Sequence, residues 1–203
     1  AYLTQLGLIR GHLHVGVELY RVGNTEASAT HMKHPESELY ADLIPALEAR
    51  NAEGFADQLG ALAVAVEEGR SVDEVNAAYD QLLAGVSEAE AVVPEPADDV
   101  IGKMIVNLVR VAAAEYDIAV GDTGALENAH EYQDALGFVK VARDRLEALA
   151  RGGANEQAVN DIREQLDLIA PAWPGLNPPP QLDVAPSVIY GATGRIEIAT
   201  LSL

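Results

Sequence analysis

LTQLGLIRGHLHVGVELYRV, residues 3–22, is the stretch from which the fold can be read. Leu6, Ile9, Leu13, Val17 and Tyr20 fall on one side at helical spacing, and Leu8, Val15, Leu19 and Val22 fall on the next. A helix apolar over so wide an arc is surrounded by other elements rather than laid on a surface, so this one belongs at the centre of a helical assembly. His12 sits within the apolar arc beside Leu8, Val15 and Leu19, whereas His14 shares the polar side with Arg10, Glu18 and Arg21. The spacing therefore predicts a buried His12 and a surface His14.

Outward from this segment the pattern stays helical. Gly23-Asn24 is a stop signal, and a short helix follows over 26–33. Pro35 opens a helix to Arg50, with Glu36 and Glu38 at its positive end. Asn51 is the expected cap of a helix reaching Glu68, and Ser71-Val72-Asp73-Glu74 reads as a capping box opening another to Ala91. Val92-Val93-Pro94-Glu95-Pro96 breaks the periodicity. Helices are expected again over 97–120, 126–151 and 155–170, and the segment Trp173 to Pro180 is extended and superficial. The tail, 184–203, mixes strand-like alternation with helical spacing, and the helix is favoured. Gly191-Ala192-Thr193-Gly194 lacks the Lys and third Gly of a phosphate cradle and reads as close packing. The expectation is an all-α antiparallel helical bundle, residues 1–203 forming one helical domain with a candidate boundary between two packed halves near 92–97.

Composition agrees and narrows the function. The 203 residues are 49% apolar yet only 5% aromatic, a core of Ala, Leu, Val and Ile. Thirty-two acidic against thirteen basic residues give a net charge of −19, which opposes nucleic acid and anionic membranes and favours cations or basic protein partners. The absence of Cys removes thiol catalysis, disulfides and Cys-ligated metals and suits an oxidising compartment. No apolar run reaches the roughly 18 residues a membrane span needs, so no membrane insertion is expected. The chain opens at Ala1 directly into a helical pattern, as a mature exported protein does.

Four of the five His fall between residues 12 and 34. The run His31-Met32-Lys33-His34-Pro35-Glu36-Ser37-Glu38 puts two imidazoles and two carboxylates in one connection, and Pro35 disfavours helical geometry at His34. A third group, Glu127, His130, Glu131 and Asp134, has the spacing of one helical ridge. Glu131 there shares a stripe with Ala135, Phe138, Ala142, Leu146 and Leu149, which places a carboxylate at core depth, where it must be paired, protonated or bound to metal. His12, His31 and His34 are thus candidate nitrogen ligands, with Glu38 and Glu131 as oxygen ligands. Such a donor set suits iron, zinc or manganese and could hold copper(II).

Glu115 to Val120, with Asp122 and then Glu131 to Phe138, resembles the helical periplasmic domains associated with bacterial iron permeases. The stretch from His34 to Arg50 is similar to the imelysin-like proteins of periplasmic iron uptake, although their Gly-x-His-x-x-Glu signature is only approximated by Gly11, His12, His14 and Glu18. The resemblance implies a periplasmic helical bundle with His and carboxylate ligands for iron, working with a membrane permease. The leading expectation is an extracytoplasmic metal-binding protein. A non-catalytic interaction scaffold with structural His and Glu is the alternative, and a metal-dependent hydrolase comes third, since there is no His-Glu-x-x-His run and no Gly-x-Ser-x-Gly elbow.

Overall fold

The computed structural model describes residues 1–34, 39–121 and 123–203, the side chains of Lys33 and His34 excepted. Nine α-helices and isolated β-bridges make up the regular structure of the described residues, apart from 3-10 turns, and the chain divides into two compact units, Ala1–Glu95 and Pro96–Leu203. The fold is all-α.

The first unit holds α1 (Tyr2–Arg21), α2 (Thr25–His34), α3 (Tyr40–Glu48), α4 (Ala56–Glu67) and α5 (Val72–Ala91). Contacts run from α1 to α2, α2 to α4, α4 to α5 and α5 back to α1, so four helices close a ring, with α3 resting on α1. The stripe Leu6, Ile9, Leu13, Val17 and Tyr20 is buried, as its spacing requires, and so are Val15 and Leu19 on the adjoining face. Full burial of each such aliphatic side chain stabilises by roughly 1.5–3 kcal/mol, which is why α1 is held on nearly every side. Polar contacts tie its N-terminal half to α5: the Tyr2 hydroxyl donates to the Ala89 carbonyl at 2.7 Å, and Arg10 pairs with Glu90 at 3.0 Å.

The capping box forms at the start of α5, where Glu74 N–H donates to the Ser71 hydroxyl at 3.3 Å and Ser71 N–H donates to the Glu74 carboxylate at 3.0 Å. Asn51 does not cap the next helix. It takes φ 51° in the turn after α3, and α4 begins at Ala56, behind Phe55, whose N–H donates to the Tyr40 hydroxyl. The expected helix start at Pro35 lies outside the described residues.

The second unit holds α6 (Asp98–Ala119), α7 (Ala129–Gly152), α8 (Glu156–Ile169) and α9 (Pro186–Thr200). Here too the contacts close a ring, α6 to α7, α7 to α8, α8 to α9 and α9 to α6, which is a four-helix bundle. Ala135, Phe138, Ala142, Leu146 and Leu149 on α7 and Val159, Ile162, Leu166 and Ile169 on α8 fill its core. Gly153 ends α7 with φ 87°, a left-handed conformation that glycine adopts without strain.

Three sequence expectations change. The helix expected from Leu126 begins at Ala129, because Leu126 bridges Val120 and its N–H donates to the Pro180 carbonyl. Glu127 is therefore exposed on the connection rather than on the α7 ridge. The Pro-rich segment is anchored by its ends: Trp173 and Leu182 are buried, and the Trp173 ring meets Tyr116 edge-on at 5.2 Å. The tail is helical, but Gly194 has no heavy atom near its missing Cβ, so close packing falls to Ala192 and Ile196 instead.

Candidate functional site

In the first unit the site begins with a helix crossing. Gly16 lies one turn after His12 on α1 and lets α2 come close: a Cβ there would stand 3.1 Å from His31 Cβ and press into the Met32 thioether end. His31 is fully buried as a result, and His12 is 6% exposed. A ring nitrogen of one lies within 4.8 Å of a ring nitrogen of the other. A cation held at about 2.1 Å from each nitrogen sets its ligand atoms roughly 3.0–4.2 Å apart, a spacing compatible with the pair. Ser28, three residues before His31, is also fully buried, and its hydroxyl finds no hydrogen-bond partner among the described residues. His14 is half-buried, as its polar surroundings on α1 suggest. The His34 side chain and Glu38 fall outside the described residues.

The second unit assembles carboxylates. Asn128 caps α7, its side-chain oxygen accepting from the N–H groups of His130 at 3.0 Å and Glu131 at 3.5 Å. This fixes Glu131 in the first turn, where the helix dipole favours an anion. The carboxylate at core depth is Asp134, at 2% exposure, with Glu131 half-buried above it. One ring nitrogen of His130, Nε2, stands 3.3 Å from the Asp134 carboxylate.

Glu115 on α6 completes the group. Burial first, then its hydrogen bond with Glu131 and the charges of Glu131 and Asp134, push the Glu115 carboxyl up to about 8. A hydrogen bond between two carboxyl groups needs a proton, and in the metal-free protein Glu115, raised this far, holds it at neutral pH. The stripe argument that singles out Glu131 finds Glu115 as well, since it lies three residues after Ala112 and four before Ala119, both buried. Only the resemblance drew Glu115 into the sequence reading.

Aromatic residues hold these donors in place. Tyr116, next to Glu115, donates its hydroxyl to the Val184 carbonyl at 3.0 Å. Tyr132, next to Glu131, donates to the Gly175 carbonyl at 2.7 Å, and Trp173 Nε1–H donates to the Tyr132 carbonyl at 3.1 Å. Gln133 reaches the Leu176 carbonyl at 3.2 Å. The Pro-rich segment is in this way stapled across α6 and α7 beside the carboxylates. Burial pushes the phenols of Tyr116 and Tyr132 up to about 12, so both stay neutral hydrogen-bond donors through the physiological range.

Three carboxyl groups and an imidazole on two facing helices form the kind of donor group that metal-binding bundles draw from inward-facing residues. The helices that carry it lie within the segment matched by a family model, that of the iron permease-associated 4-helix bundle domain, over residues 98–202. The chain belongs to this family. The matched segment runs from α6 through α9, so the family's four helices are the ring of the second unit. No curated protein and no solved structure gives a significant match. The described residues contain no helix long and apolar enough to cross a membrane.

Proposed function

We propose that this protein is an extracytoplasmic, periplasmic metal-binding bundle that takes up a cation, iron first, in association with a membrane permease. The observation that carries the reading is the donor group Glu115, His130, Glu131 and Asp134 inside the iron permease-associated segment. Oxygen donors with an imidazole match ferrous or ferric iron and manganese, and accommodate zinc or copper(II). The buried pair His12 and His31 supplies further nitrogen donors in the first unit. The likeness of the 34–50 stretch to imelysin-like proteins points the same way. The cation is cargo here, and the chain's part is to bind and release it.

Calorimetric titration of the full chain with ferrous iron under anaerobic conditions, and with zinc, manganese and copper(II), tests this. Binding near one equivalent is expected, weakened at least about tenfold by Glu131→Gln or Glu115→Gln. No uptake of any of the four ions would refute it.

A scaffold reading draws on the net charge of −19. It expects association with a basic partner that weakens with salt and is indifferent to metal.

A further inference from the structure

A concave pocket of about 520 Å³ opens on the second unit where the C-terminal end of α6, the connection around Gly121 and Gly124, residues 181–185 and the start of α9 meet. Two carboxylates line it, Asp117 from α6 and Asp183 from the segment before α9. Both are exposed, and among the described residues neither is in an ion pair. Asp117 accepts a 3.4 Å hydrogen bond from the Tyr190 hydroxyl, and Asp183 lies close enough to Tyr116 to oppose ionisation of its phenol.

The surroundings favour a cation that also has apolar surface. Backbone carbonyls at the end of α6 carry the negative pole of that helix, which adds to the two carboxylates, while the start of α9 offsets part of it. Tyr190 is 44% exposed, and Ile118 beside Asp117 is 56% exposed. Two carboxylates lining one concave pocket are an arrangement that receives a guanidinium or ammonium group. The volume lies within the ~300–1,000 Å³ of ordinary ligand sites, enough for a charged side chain with the backbone that presents it.

We propose that this pocket is the docking site for an Arg or Lys side chain on a short basic segment of a protein partner, gripped by Asp117 and Asp183, with the Tyr190 phenol bonded to Asp117 beside it. Charge complementarity selects this occupant, because a chain of net charge −19 repels acidic partners and anionic lipid alike. The proposal is separate from metal binding and uses none of its donors.

The test is an NMR titration of the full chain with the peptide acetyl-Gly-Arg-Arg-Gly-amide, and with the same peptide carrying neutral citrulline for both arginines. Saturable shifts are expected at the amides of Asp117, Gly121, Gly124, Asp183 and Ser187 with the arginine peptide only. Asp117→Asn with Asp183→Asn should weaken binding about tenfold, while Glu156→Gln with Glu164→Gln, an equal change of net charge on exposed α8 positions, should leave it unchanged. Equal binding of the citrulline peptide, shifts spread over the acidic surface with no preference for the pocket, or equal loss in both double variants would overturn the proposal. Circular dichroism of the variants separates loss of binding from loss of fold.

Discussion

Glu115 carries the most informative chemistry of any single residue. Its carboxyl is raised to about 8 from 4.5 by burial, the hydrogen bond with Glu131 and the charges of Glu131 and Asp134. For a raised acid the folded state binds the proton more tightly than the unfolded one, so the associated stability is fully present below about pH 4.5 and is lost as pH rises through 8. In the metal-free protein Glu115→Gln, which keeps the hydrogen-bonding shape without the charge, is expected to remove that loss. Chemical denaturation should find the variant more stable at pH 9 by on the order of 1–2 kcal/mol, after allowance for solvent screening at a half-buried group, and nearly unchanged at pH 5. The same stability difference at both pH values would show that Glu115 does not hold the proton. At this scale the sequence was legible where a residue's depth follows from its place on a helix: the burial of His12 could be read from the wheel. The depth of Asp134 beneath Glu131 could not, because it depends on where Asn128 starts α7, three residues later than the apolar pattern suggests.

Among the elements, the approach of α1 and α2 is the feature on which the imidazole pair depends. Gly16→Val places methyl groups where His31 Cβ and the Met32 side chain now sit. The valine gains helix propensity, but overpacking at a closed crossing costs about 1–3 kcal/mol and wins. Urea denaturation should report that loss, and the His12 and His31 ring signals should shift in NMR spectra, while the amides of α8 keep their positions. A fully stable variant with unmoved ring signals would mean that α2 does not need the bare backbone of Gly16. Helix existence was readable almost throughout, since Ser71, Gly153 and Asn155 act as caps or terminators where the periodicity stops. Boundaries were misread where a non-helical contact decided them. The left-handed turn at Asn51 delays α4, and the Val120–Leu126 bridge delays α7. Neither contact leaves a periodic trace in the sequence.

At the scale of the whole molecule, each unit closes a ring of four helices, a pattern of pairings that amphipathic stripes permit but do not specify. The stripes say which face is buried and not against which neighbour, so the partnership of Glu115 with Glu131 across α6 and α7 could be found only in three dimensions. Family membership places the second ring among the iron permease-associated four-helix bundles, and the donors on its helices are what the proposed metal binding draws on. X-ray absorption spectroscopy at the iron edge, on full chain loaded with ferrous iron and freed of excess, tests the central claim most directly. The account predicts a first shell of light oxygen and nitrogen atoms at about 2.0–2.2 Å with imidazole scattering beyond it, altered in Glu131→Gln. Iron that washes away, or a spectrum of hydrated iron identical in the wild type and the variant, would contradict it.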